Sequence, residues 1–206
     1  MKVNGTATLH APRERVWAAL NDPAVLVRTI PGCQQLEEVG PDSYRMTITA
    51  GVASIKGTYQ GDVALTDQEQ PGAFTLRASG AGAPGTVSAD VKVTLAESAD
   101  GGGPVTRLDY DADAIVGGMI GGVGQRVLSG VAKKTAGEFF AAVDDVLTGR
   151  PPPPAAVPAP GVFTAPQTPA RAGLGGDDFV RGAVFGAVVA LAGVLVGGLV
   201  ARRRQV

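Results

Sequence analysis

Polar and apolar residues alternate from the first positions. Val3, Gly5, Ala7 and Leu9 fall on one side, with Lys2, Asn4, Thr6 and Thr8 on the other, the period of a half-buried strand. Pro12 then opens a short helix carrying Val16, Trp17 and Leu20, which Asn21-Asp22-Pro23 stops. A second short helix is predicted from Ala24 to Ile30, ahead of Pro31-Gly32. Strand-like stretches follow at 34–39, 43–54, 56–67, 72–80, 85–97 and 104–114, separated by turn residues. From Met119 to Leu147 the period becomes helical, with Met119, Val123, Val127, Val131, Phe139, Val143 and Val146 in one stripe. The order β, α, α, six β and a long α predicts an α+β fold. In it a curved antiparallel sheet of about seven strands wraps the C-terminal helix, because that helix must bury its stripe somewhere.

The same alternation raises the question of a hollow. Inward candidates include the small residues Ala7, Ala50, Gly57, Gly61, Ala78, Ala89, Ala112 and Ala114. Beside them stand Tyr44, Met46, Ile48, Tyr59, Phe74, Leu76 and Tyr110. Small side chains on a concave sheet either leave an apolar pocket or admit the helix more closely, and the pattern is compatible with both.

Beyond the periodic part, residues 1–148, the text changes. Residues 149–178 are rich in Pro, Ala and Gly, which cannot build a core and predict a flexible linker. At about 3.1 Å per residue in polyproline II it would reach at most about 90 Å. Residues 179–201 predict a membrane-anchor helix: Gly182 to Ala201 is 20 residues without a charge, enough to cover about 30 Å. Residues 202–206 form a basic tail with Arg202, Arg203 and Arg204, suited to anionic head groups. Gly182 and Gly186, and Gly193 and Gly197, have the four-residue spacing that brings membrane helices together.

Charge narrows the partners. Through Arg150 there are 13 Lys and Arg against 17 Asp and Glu, a net of −4, while the remainder is net +3. An acidic domain argues against nucleic acid. One Cys allows no internal disulfide, and the N-terminus has no apolar run of a secretory signal. The expected location is therefore the cell membrane, with the domain on the cytoplasmic side. The three arginines strain that expectation under the positive-inside rule, unless the tail inserts after synthesis or does not fully cross.

Catalytic chemistry is not visible. The glycines from Gly117 to Gly124 lack the Gly-Lys-Ser/Thr of a phosphate loop and read as a flexible lead-in to the long helix. Asp109, Asp111 and Asp113 line one strand face, which reads as solvated since a cation needs oxygens converging in three dimensions. Cys33 reads as a buried small hydrophobe. His10 is the single histidine, at a strand end, and with one Cys it excludes the usual zinc clusters.

Five segments together resemble a known family: APRERVWAALNDP, TIPGCQQLEEVGPDSYRM, IKGTYQGDVALTDQ, GAGAPGTVSADVKVTL and YDADAIVGGMIGGVGQRVL. They are similar to the carbon monoxide dehydrogenase G-subunit family, over about the first 148 residues. The resemblance implies a helix-grip, START-like fold, whose members hold lipids, sterols, quinones or other apolar molecules between sheet and helix. It also implies a partner, a cytoplasmic molybdenum-containing CO dehydrogenase or related hydroxylase, which passes electrons toward respiratory quinone. The function expected is a non-catalytic, membrane-tethered carrier that presents an apolar ligand to that enzyme. The ligand would be a quinone (menaquinone or ubiquinone), with no covalent cofactor and no metal. The alternatives are a ligand-free docking or assembly factor and a small START-like enzyme. From alternation, the expected ligand-binding residues are Met46, Ile48, Ile55, Tyr59, Phe74, Leu76, Tyr110, Met119, Ile120, Val123 and Val127. Tyr59 and Tyr110 are the candidates to offer a hydroxyl to a quinone carbonyl.

Overall fold

The computed structural model describes residues 1–100, 103–150 and 162–164. In chain order the elements are β1 (Lys2–Leu9), α1 (Arg13–Leu20), α2 (Pro23–Thr29), β2 (Cys33–Gly40), β3 (Ser43–Val52), β4 (Ile55–Glu69), β5 (Ala73–Gly82), β6 (Gly85–Asp100) and β7 (Gly103–Gly118). A 3-10 turn over Met119–Val123 leads into α3 (Gln125–Leu147), and β8 is Val162–Thr164. The sheet order is β1-β7-β6-β5-β4-β3-β2-β8. Every ladder is antiparallel. Consecutive strands β2 to β7 pair as hairpins, while α1 and α2 carry the chain from one edge of the sheet to the other. That crossing is what curls the sheet into a grip.

Local chemistry explains the helices. Asp22 accepts a hydrogen bond from the Ala24 amide at 2.8 Å, and Pro23 takes the first helical position of α2, where a missing N–H costs nothing. Buried Thr106 donates its hydroxyl to the Ala11 carbonyl at 2.7 Å, tying the start of α1 to β7. At the far end of α3, Arg15 donates to the Leu147 carbonyl at 3.2 Å, a cation at the negative end of the helix dipole. His10 joins it there, its amide donating to Asp144 at 2.6 Å and its ring Nδ1 lying 2.8 Å from the other carboxylate oxygen.

The buried face of α3 is Leu128, Ala132, Thr135, Ala136, Val143 and Leu147, one position away from the predicted stripe over its first half. Gly118 and Gly124 have φ of 76° and 91°, a region that favours glycine, so the helix phase restarts at Gln125 and Met119 and Val123 belong to a separate turn. The convex sheet face is polar, with Arg45–Asp62, Arg77–Asp90 and Arg107–Asp109 pairs at 3.0, 3.7 and 2.9 Å. Asp111 and Asp113 lie exposed on that face with Asp109 half-buried beside them, and among the described residues no acidic, Cys or His cluster forms a metal site.

Val162–Thr164 departs from the expected structureless linker: it pairs with the edge strand β2, Phe163 opposite Leu36. Phe163 packs half-buried against the core, where this short strand pairs with the open edge. The rest of the predicted linker beyond Arg150, the anchor at 179–201 and the basic tail lie outside the described residues. Among the described residues no helix is long and apolar enough to cross a membrane.

Two predictions test this packing. Tyr110 lies flat over Gly5, and a Cβ at Gly5 would stand 2.7 Å from the phenol Cζ. Gly5→Ala should therefore lower the unfolding free energy by about 1–3 kcal/mol in urea denaturation. Cys33 is 5% exposed, and burial pushes its thiol from 9.0 up to about 12. Above pH 9 the unfolded thiol ionises while the folded one keeps its proton, so stability should fall as pH rises from 9.0 toward 12. The denaturant midpoint should show this decline, and Cys33→Ala should flatten it.

A cavity between the sheet and the long helix

The concave face and α3 enclose a partly open cavity of about 180 Å³. Its sheet wall is a patch in register. Tyr44 faces Val63 across β3–β4, Leu65 faces Leu76 across β4–β5, and Phe74 faces Val93 across β5–β6. Val91 and Val93 face Ala112 and Tyr110 across β6–β7. Met46, Leu36, Leu108 and Val3 complete the wall. From α3 come Ala132, Ala136, Phe139 and Phe140, and from the α1–α2 side Leu20, Leu26, Ile30 and Pro31.

Aromatic rings hold the cavity open. Phe140 sits 5.7 Å from Tyr110 and 5.1 Å from Phe139, centroid to centroid, so these rings wedge α3 away from β7. Trp17 meets Phe74, a lining residue, edge-on at 5.5 Å. No charged side chain lines the space, and its walls are almost wholly apolar, Tyr44 and Tyr110 being the two tyrosines that border it. Burial raises the pKa of both, with Glu38, Asp42 and Asp22 adding to the effect at Tyr44, so both are neutral hydrogen-bond donors at physiological pH. A dry apolar cavity of this size accepts about one aromatic ring, and full ligand pockets are larger, at about 300–1,000 Å³.

Of the residues expected from alternation, Met46, Phe74, Leu76 and Tyr110 line the cavity. The other seven do not. Ile48, Tyr59 and Ile120 are buried at 2%, 4% and 2%, packed as solid core where the β3–β4 and β5–β6 hairpin ends close on the 3-10 turn. Ile55 is half-buried against that core, and Val123 packs half-buried on Val52 and Leu128. Met119 and Val127 point outward, 63% and 45% exposed. Tyr44, not Tyr59, is the second hydroxyl at the cavity.

The small inward residues are not what makes the hollow. Ala50, Ala78, Ala89 and Ala114 are buried in close packing, and Ala112 alone of that set faces the cavity. Sequence reasoning missed Val63, Leu65, Val91 and Val93, though each continues the period-2 pattern of its strand. It also missed Ala132, Ala136 and Phe140, whose role depends on the phase of α3 after the glycines. His10, engaged with Asp144, is absent from the lining.

The geometry is shared with solved structures. A conserved protein from Geobacillus kaustophilus is 35% identical, with a TM-score of 0.68 over 72% of this chain and 96% of that one. A START superfamily protein from Mycobacterium smegmatis, 14% identical, gives a TM-score of 0.55 over 72% of this chain and 97% of its own. The Zhui aromatase/cyclase from Streptomyces sp. R1128, 18% identical, gives 0.55 over 73% and 94%. The last two likenesses establish the START-like fold alone. No curated protein sequence matches the chain. The family model for the carbon monoxide dehydrogenase G subunit (CoxG) matches residues 5–148, from Gly5 in β1 through β7 and α3, and the chain accordingly belongs to that family.

Proposed function

We propose that the protein is a membrane-tethered carrier of an isoprenoid quinone, which it presents as electron acceptor to a molybdenum-containing CO dehydrogenase. The observation that carries this reading is the uncharged, apolar cavity bordered by Tyr44 and Tyr110, in a chain of the CoxG family. A quinone ring is flat, apolar and about the size of the space, and its carbonyls accept hydrogen bonds of the kind that Tyr44 and Tyr110 can donate. Its isoprenoid tail is longer than the cavity and would leave through the open side.

Physical chemistry supports the division of labour. Moving the ligand from water to apolar walls gains about 25 cal/mol per Å² buried. A bilayer offers the tail the same gain, so lipid and cavity exchange the molecule without a large step. The apolar run from Gly182 to Ala201 would hold the domain at the bilayer. With β8 seated on the sheet, the 14 residues from 165 to 178 span at most about 50 Å when fully extended. So short a tether keeps the domain at high local concentration beside the membrane, up to about millimolar.

Nothing in the cavity requires the carrier to be an enzyme: its walls hold no nucleophile, acid–base pair or charged group to stabilise a transition state. The electron transfer would belong to the dehydrogenase.

The full chain purified from native membranes, extracted with organic solvent and analysed by mass spectrometry, should yield stoichiometric quinone. Ala136→Phe, which projects a ring into the cavity from α3, should lose the quinone and still fold and bind the dehydrogenase. An empty wild-type protein that nonetheless recruits the dehydrogenase to membranes would replace the carrier by a docking factor. Ending the chain at Asp178 should move it from the membrane to the soluble fraction on centrifugation.

A further inference from the structure

One end of the domain is built from the β3–β4 turn, the β5–β6 turn, the end of β7, the 3-10 turn and the start of α3. Three of the four exposed large hydrophobic side chains among the described residues are here: Ile115 at 76%, Met119 at 63% and Val127 at 45%. Met119 is not on a loose loop. Its neighbour Ile120 is buried, and the Ile120 amide donates to the Pro84 carbonyl at 3.2 Å, so the turn is pinned with Met119 facing out.

The charge at this end has one sign. Residues 50–58, 79–89 and 114–134 contain no Asp or Glu, but they hold Lys56, Arg126, Lys133 and Lys134. The nearest carboxylates are engaged. Asp113 lies within 3.8 Å of Lys2 and 3.9 Å of the terminal ammonium, Glu138 within 3.6 Å of Lys134, and Asp90 within 3.7 Å of Arg77. At the opposite end acid outnumbers base: Asp42 in the β2–β3 turn, Asp67 and Glu69 before the β4–β5 turn, and Asp144 and Asp145 late in α3, against Arg15 and Arg150, the latter 3.9 Å from Asp145. The domain is thus a dipole, with exposed apolar side chains at its positive end.

We propose that this end docks on an anionic lipid surface, with Met119, Val127 and Ile115 entering the head-group boundary and Lys56, Arg126 and Lys133 facing lipid phosphates. An apolar group ringed by cations fits that surface, where hydrophobic insertion and attraction to anionic lipid add. The proposal rests on the tethered-carrier reading, since an apolar run after residue 181 places a bilayer within reach. The acidic end then points away from the membrane, which orients the carrier.

The test uses the full chain with Met119→Cys, Val127→Cys or Gln68→Cys carrying an environment-sensitive fluorophore. Buried Cys33, with its thiol raised to about 12, stays unlabelled. Gln68 is exposed at the acidic end. Vesicles of phosphatidylcholine, with or without phosphatidylglycerol, carry a spin-labelled lipid as quencher. The Met119 and Val127 probes should be quenched with phosphatidylglycerol present and the Gln68 probe should not. Arg126→Glu with Lys133→Glu should weaken that quenching about tenfold or more while the chain still sediments with vesicles. If the chain sediments but all probes are quenched alike, or none is, the docking face falls and the tether stands. If it neither sediments nor quenches, both fall.

Discussion

The fold depends on burying α3 against a sheet too broad for it. Six long hairpin strands and β1 present a concave surface, and a single helix must cover it with one face: Leu128, Ala132, Ala136, Val143 and Leu147. Where the hairpin ends fold down on the 3-10 turn, Ile48, Tyr59, Val87 and Ile120 are buried together in the core. Along the middle of α3 the facing residues are the small Ala132 and Ala136, while Phe139 and Phe140 hold the helix off the strands. The cavity is the volume left between one flat close contact and one propped contact. It follows from packing density: a core cannot be dense everywhere when its two layers differ in width and curvature.

That origin shapes the chemistry. A space bounded by the inward faces of strands and by an amphipathic helix is apolar by construction, because the charged positions of each strand are on the convex side. The two phenols are the exception, and burial holds them neutral. The polar interactions of the domain are spent elsewhere: His10 and Arg15 on the C-terminal end of α3, Thr106 on the start of α1, ion pairs on the outer face. The cavity therefore offers apolar contact and neither charge nor nucleophile. Surface charge is likewise uneven, with Lys56, Arg126 and Lys133 at the end of the 3-10 turn and Asp42, Asp67 and Glu69 at the other.

Much of this was legible from residues alone. Alternation located β1 to β7 within a few positions, since a strand with one buried face must alternate. It placed Met46, Phe74, Leu76 and Tyr110 on the inward face, and they do line the cavity. It could not say where along each strand the helix closes down. Ile48 and Tyr59 share the inward face with Met46 and are core, because they lie nearer the tight end. The helical stripe failed at Met119, Val123 and Val127 for a different reason: Gly118 and Gly124 at positive φ reset the phase, and a period read straight through them drifts by one residue.

The sequence by itself determined the class of fold, the inward set of side chains and the family, through short-range periodicity and the motif segments spread over residues 5–148. It also excluded the usual structural zinc clusters, since one His and one Cys cannot make one. Only the tertiary structure decided which inward residues border empty space, that Tyr44 rather than Tyr59 is the second hydroxyl there, and that Phe163 returns to the sheet edge opposite Leu36. These depend on cross-strand register and on the distance between α3 and the sheet. Both are set by contacts between residues far apart in the chain, which no local pattern encodes.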